Sequence, residues 1–276
     1  MSERPRRPGP TVRTRVHELT DDGDRRHEDR LATEEPLEIR LAWPGAAPGR
    51  VWVTMRTPGH DFELAAGWLL HEGLVRAGDI HGVAYCTDAD LAPEQEFNVV
   101  TVTLAGPPAR DPGHRHTGLS AGSSACGVCG KDSVASALDV PRGEPWAGPL
   151  PEADVVRRLP DRLRERQAVF SRTGGVHAAG LFTAAGEPLV VREDVGRHNA
   201  VDKVSGARLL AGAAASEACL VVSSRAGFEL VQKAIAAGVG SVVAVGAPTS
   251  LSAQLARDAG LVLYGFTSER RCVRYT

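Results

Sequence analysis

The sequence predicts an α/β protein, and three observations carry that prediction. The last third alternates continuous apolar runs with helical patterns, β-α-β-α-β, which calls for parallel strands covered on both faces. Residues 37 to about 107 instead alternate apolar and polar positions around one helical stretch, as a small α+β unit does. The chain has 276 residues, room for one large or two modest domains at roughly 150 residues each. Three segments follow: residues 1–35 as a disordered tail, 36–118 as a small α+β subdomain, and 119–276 as an α/β domain that carries a cysteine loop.

Each element has its own justification. Residues 1–35 mix arginine with acidic side chains and hold few large apolar groups, too few to offset the entropy of ordering. LEIRLAW (residues 37–43) and RVWVTMR (residues 50–56) alternate and are joined through proline and glycine, a hairpin-like pair. In HDFELAAGWLLHEGL, Phe62, Ala65, Ala66, Leu69 and Leu70 recur at helical spacing, with Gly73 placed to stop the helix. FNVVTVTLAG (residues 97–106) alternates as a strand, and the proline-rich residues 107–118 read as a linker. Beyond it, ACLVVSS, SVVAVG and LVLYGF are strands, and FELVQKAIAAG and LSAQLARDAG the helices between them. Strands of such sheets bind ligands in the loops beyond their carboxyl ends, here SSRAGF, GAPTS and GFTSERR.

Composition narrows the function. Apolar content is 42% and formal net charge -2, so collagen, coiled coil and wholesale disorder are excluded. The balance gives no general reason to bind nucleic acid or an anionic membrane. No apolar run approaches the ~20 residues of a membrane span, and the N-terminus lacks a secretory pattern, so a cytoplasmic protein is expected. Five cysteines argue against a disulfide scaffold.

Chemistry concentrates in SSACGVCGKDS, where Cys126 and Cys129 stand three residues apart. Zinc would need two more ligands, which His114 and His116 upstream could supply. A thioredoxin-like redox pair would follow a strand, whereas this segment follows glycine, serine and histidine. Idle buried thiols would sit in apolar runs. Sulfur transfer is the fourth reading: a thiolate is the attacking group in persulfide exchange, and glycines give a donor protein room to approach. Lys131 and the amides at the start of KDSVASAL would lower a thiol pKa if that segment is helical.

SSACGVCGK, TGGVHAAGLF, REDVGRHNAVDK, SSRAGFELVQKA and GAPTSLSAQLA, in that order, resemble the FdhD family of formate dehydrogenase accessory sulfurtransferases, from about residue 36 to the C-terminus. The resemblance implies a cytidine deaminase-like fold with a smaller N-terminal subdomain. It further implies a sulfur carrier between a cysteine desulfurase and molybdenum of the bis-molybdopterin guanine dinucleotide cofactor, before that cofactor enters formate dehydrogenase. Cys126 would bear the persulfide and Cys129 assist. The cofactor is then a bound substrate, with no permanent metal, and a homodimer is implied. The segment Phe266, Thr267, Ser268, Glu269, Arg270 and Arg271 would contact the guanine dinucleotide. Family members usually carry arginine where this chain has Ser268; Arg271 matches their second arginine. A non-catalytic cofactor-binding chaperone, with a structural or zinc-binding CxxC, is the rival reading.

Deamination itself lacks its proton shuttle. H-x-E is required, and here His177 is followed by Ala178 and Ala179. Asp194 is expected to cap a helix on which His198 and Asp202, and Asn199 and Lys203, lie one turn apart. Arg192, Arg197, His198 and Lys203 also suit an anionic ligand. Arg225, after the strand ending in Ser223 and Ser224, and Thr249 and Ser250, after the next, stand where helix amides favour phosphate. Cys219 and Cys272 read as core.

Overall fold

The computed structural model describes residues 7–87, 91–112 and 139–276. Cys126 and Cys129, with His114, His116 and Lys131, lie outside the described residues. The segment expected to be a disordered tail is corrected by strands β1 (Thr11–Thr20) and β2 (Gly23–Ala32), which pair as an antiparallel hairpin. Val12, Thr14 and Val16 alternate with arginine and histidine, and the chain reverses at Asp21 and Asp22 into Gly23 at φ 130°. Ion pairs such as Arg25–Glu18 (2.6 Å) and Arg13–Glu28 (3.1 Å) cross the strands. A composition short of large apolar residues conceals strands held by polar pairs.

The second sheet has the order β4-β3-β6-β5, built from β3 (Glu35–Trp43), β4 (Ala46–Arg56), β5 (Ile80–Tyr85) and β6 (Val99–Leu104). β3 and β4 form the antiparallel pair that their alternation predicts, while β6 joins β3 in parallel. The inward residues Leu37, Ile39, Leu41, Val100 and Val102 meet Leu64, Ala65, Trp68 and Leu69 of helix α1 (Asp61–His71) in one core.

The third sheet has six strands in the order β12-β11-β10-β9-β7-β8. β7 (His177–Phe182) and β8 (Pro188–Asp194) form an antiparallel pair on one side. β9 (Cys219–Val222), β10 (Ser241–Ala244) and β11 (Val262–Ser268) run parallel, as their unbroken apolar sequences require. The short β12 (Arg271–Arg274) turns back antiparallel on β11. Helices α2 (Ala153–Arg164) and α3 (Ala168–Thr173) precede β7. Helices α4 (Arg197–Leu210), α5 (Phe228–Ala237) and α6 (Ser250–Ala259) follow β8, β9 and β10. The latter three cover one face in a core of Val201, Val204, Leu220, Leu230, Val231 and Leu263. α2 covers the other with Val156, Leu159 and Leu163 against Phe182, Val221 and Val243.

The second and third sheets are joined by α1 packed on α4. Gly67 and Gly206 let their backbones touch: a Cβ on Gly67 would strike the carbonyl of Asp202, and one on Gly206 that of Glu63. No helix among the described residues is long and apolar enough to cross a membrane.

Candidate functional site

The densest cluster of charge lies in that helix junction. Asp194 is fully buried at the end of β8; its Oδ2 stands 2.6 Å from Lys203 Nζ, and its Oδ1 accepts from Gly196 N (2.8 Å) and Asn199 Nδ2 (3.1 Å). The residue before α4 is Gly196, so Asp194 braces the turn into the helix rather than capping it. Lys203 also donates to the carbonyl of Thr57 at 2.9 Å, and Asn199 to that of Met55 at 2.8 Å. Arg192 grips Glu63 through two hydrogen bonds, 2.6 and 2.8 Å. One turn on, Asp202 Oδ1 lies 2.5 Å from His71 Nδ1 and 2.8 Å from Lys233 Nζ. Burial alone would raise the Asp202 carboxyl, but Lys233 and His71 hold it below the usual carboxylate range. Arg192 and Lys203, which the sequence offers to an anionic ligand, are therefore corrected to structural roles. Each is committed to a carboxylate that ties one half of the molecule to the other.

His198 is 4% exposed, and its Nε2 lies 3.2 Å from Glu229 Oε2 in the first turn of α5. It thereby braces the first turn of the helix that follows the SSRAGF loop.

The carboxyl ends of the parallel strands do come together. Gly246 N donates to Ser224 O and Phe266 N to Gly246 O, each at 3.1 Å. Ala226 bridges Pro248 in parallel, with Ala226 N donating to Ala247 O at 3.1 Å. The three loops therefore continue the sheet past its strands, and Arg225, Gly246 and Phe266 become neighbours. A Cβ on Gly246 would press on Arg225 Cγ, so glycine there makes room for the arginine. Thr249 is the N-cap of α6: its Oγ1 accepts from Ser252 N (3.3 Å) while Ser252 Oγ accepts from Thr249 N (2.8 Å). That reciprocal box explains Thr249 as a helix cap. Ser250 is exposed beside it.

Phe266 takes a left-handed backbone, φ 49°, and is 44% exposed, with the Arg271 guanidinium 5.2 Å from its ring centroid. A bulky residue in that region stores strain that only its surroundings can hold. Thr267 is buried, with Oγ1 unpartnered among the described residues. Ser268, Glu269 and Arg270 are exposed. Arg225, Arg270 and Arg271 make no ion pair with the described residues.

Beside this edge opens a cavity of about 590 Å³, lined by Arg164, Gln167, Phe170, His177, Ser223 and Val245, among others. Its size falls within the roughly 300–1,000 Å³ of small-molecule pockets. Ser223 and Val245 directly follow β9 and β10, so cavity and loops share a border. The Arg164 guanidinium stacks 4.2 Å from the Phe170 ring centroid. Burial, and then the nearby Arg197 charge, push the His177 imidazole below its ordinary pKa, leaving it neutral at pH 7. Gln167 is 4% exposed, and its carboxamide makes no hydrogen bond with the described residues. Sequence reasoning passes over Gln167, Phe170 and Arg164. Their segment, RLRERQAVFSRT, mixes charged residues with apolar and small ones and has no motif of its own, and only Gly174-Gly175 after it hints at a binding edge. Of the other thiols, Cys219 is fully buried, which pushes its pKa up to about 12 and leaves it inert.

Comparison with known proteins gives one answer throughout. The profile of the FdhD/NarQ family matches residues 32–276. A sulfur carrier protein FdhD from Nocardia farcinica is 48% identical over 260 residues, covering 93% of this chain and 89% of its own length. The protein of the same name from Mycolicibacterium paratuberculosis is 46% identical over 269 residues, covering 96% and 97%. Among solved structures, a candidate formate dehydrogenase accessory protein from Desulfotalea psychrophila superposes with a TM-score of 0.71, covering 97% of both chains. At 21% identity that likeness speaks for the fold.

Proposed function

The chain belongs to the FdhD/NarQ family, and on that premise we propose that it is a cytoplasmic sulfurtransferase. It takes sulfur from a cysteine desulfurase and delivers it to molybdenum of bis-molybdopterin guanine dinucleotide, the substrate, before that cofactor enters formate dehydrogenase. One observation carries this reading. Arg225, Arg270 and Arg271, free of acidic partners among the described residues, gather on a sheet edge beside the 590 Å³ cavity, a setting suited to a phosphate-bearing heterocycle. Arg271 supplies charge, Phe266 a flat face, and Gln167 a donor and an acceptor for the edge of a base. A cytidine deaminase-like scaffold belongs to the same proposal. Helices on both faces of the third sheet support it, and Ala179 in place of the shuttling glutamate suits a scaffold turned to other chemistry.

The sulfur chemistry rests on Cys126 and Cys129. Thiolate at Cys126 attacks the outer sulfur of the desulfurase persulfide. A new S–S bond forms on Cys126, the old one breaks, and the desulfurase cysteine leaves as thiolate, with no oxidant consumed. Attack by Cys129 on the inner sulfur then gives a Cys126–Cys129 disulfide and releases hydrosulfide to molybdenum. A dithiol reductant restores both thiols.

Incubation with a cysteine desulfurase and cysteine should add the mass of one sulfur atom at Cys126, and Cys126→Ala should abolish activation of formate dehydrogenase. Full activation by Cys126→Ala, with stoichiometric zinc on the unmodified chain, would instead leave a cofactor-binding chaperone. Arg271→Ala and Gln167→Leu should each weaken GDP binding about ten-fold or more. Unchanged affinity in both would move the nucleotide away from this edge.

A further inference from the structure

Where α1 meets α4, three side chains repeat the connectivity of a catalytic triad without its access. His71 Nδ1 lies 2.5 Å from Asp202 Oδ1, and His71 Nε2 lies 3.0 Å from Ser205 Oγ. None of the three is more than 2% exposed, and none lines the 590 Å³ cavity. Ser205 therefore has no route to a substrate and is no nucleophile. The carboxylate is unevenly used as well. Lys233 Nζ of α5 stands 2.8 Å from the same Oδ1, whereas Asp202 Oδ2 is buried with no partner among the described residues. Two donors crowd one oxygen while the other has none. We propose that His71, Asp202 and Ser205 form a proton-operated latch between α1 and α4, closed when the His71 ring is neutral and loosened when it is protonated.

Each state has a definite hydrogen-bond pattern. Asp202 is ionised beside Lys233 and can only accept, so the neutral ring carries its hydrogen on Nδ1 and donates it to Oδ1. Nε2 is then an acceptor, and the Ser205 hydroxyl donates to it. A proton taken from solvent onto Nε2 reverses that bond: the ring donates and Ser205 Oγ accepts. The Ser205 hydroxyl hydrogen then needs another acceptor. Asp202 Oδ2, one turn back on the same helix and without a partner, meets that need.

Protonation keeps the hydrogen bonds but sets an imidazolium and an ammonium against one buried carboxylate. The charges facing His71 are Glu72 on α1, Asp202 on α4 and Lys233 on α5, with Glu229 acting on Lys233 from the first turn of α5. Burial outweighs the two acids and, with Lys233, holds the ring below its ordinary 6.5. The unfolded chain therefore takes up this proton first. The latch contributes fully above that pH, and its contribution falls as the pH drops below it. The inference stands apart from the sulfur-transfer reading, since it uses neither the cysteines nor the cavity.

Nitrogen-15 resonances of the histidine rings in the full chain, followed from pH 8 downward, test it. His71 is identified by its loss in His71→Gln or, should that variant not fold, by its movement in Ser205→Ala. At pH 7 it should show the Nδ1–H tautomer, and its midpoint should lie below 6.5. Ser205→Ala removes the acceptor of the charged ring, the stronger of the two bonds, and should lower the midpoint by about one pH unit. An Nε2–H tautomer at pH 7, a midpoint at or above 6.5, or a midpoint unmoved by Ser205→Ala would each overturn the proposal.

Discussion

Glu63 shows how a single side chain can be read for stability. It sits on α1 and receives both Arg192 hydrogen bonds from β8, with His60 alongside at 3.2 Å. Burial alone would raise its carboxyl, but the Arg192 pair and His60 outweigh that and hold it at about 2, against an ordinary 4.5. Between those pH values the unfolded chain binds the proton that the folded chain refuses, so stability falls as the medium is acidified through that window. Unfolding titrations should show the unmodified chain losing roughly 1–2 kcal/mol between pH 4.5 and 2 relative to Glu63→Gln, after allowance for solvent screening. Parallel acid limbs for the two proteins would refute the assignment. At the same scale the motif REDVGRHNAVDK divides. Its residue types announce charge chemistry, but Arg192, Asp194 and Lys203 turn inward to other charges, which one-dimensional spacing does not reveal.

Elements meet through backbone contact at Gly67 and Gly206, and this is where α1 and α4 are least tolerant. Either glycine replaced by alanine places a methyl group against main-chain carbonyl, which no rotamer change can relieve. Gly206→Ala should cost about 3 kcal/mol, at the upper end for overpacking, despite alanine's better helix propensity. Urea melts read the outcome, and a stabilised Gly206→Ala would mean that the helices do not touch there. Helix spacing and stop signals predict α1, α5 and α6, whose far ends meet Gly73, Gly238 and Gly260 in left-handed conformations. They do not predict α3, a six-residue helix whose first amides, Val169 N and Phe170 N, are satisfied by Glu193 from β8, each at 2.8 Å. A cap supplied from 23 or more residues away leaves no local trace.

At the scale of the molecule, the second and third sheets share buried charges rather than a flexible link. Asp194–Lys203 and Asp202–Lys233 are sealed between them, with His71 contributed from α1. Removing one partner leaves a charge without compensation, a loss of about 3–5 kcal/mol. Lys203→Met should therefore lower the whole urea transition by that amount while keeping it single, by both fluorescence and circular dichroism. Two separated transitions, one of them unmoved, would show that the halves are independent.

The sequence by itself determined the parallel strands β9, β10 and β11 and the loops at their carboxyl ends. Unbroken apolar runs have one stable setting, the interior of a sheet covered on both faces. It also singled out the thiol pair at Cys126 and Cys129, because glycine flanks and close spacing are local properties. Tertiary structure alone decided which charges are used up and which remain. Arg192 found Glu63 across the interface, His198 and Lys203 found Glu229 and Asp194 on neighbouring elements of their own half, and Arg225, Arg270 and Arg271 found none among the described residues. It likewise raised Gln167 and Phe170 from a polar surface pattern to the lining of a cavity, and made strands of residues that composition assigns to a tail. Glu63 lies 129 residues from Arg192, and no pattern within one segment records such a partner.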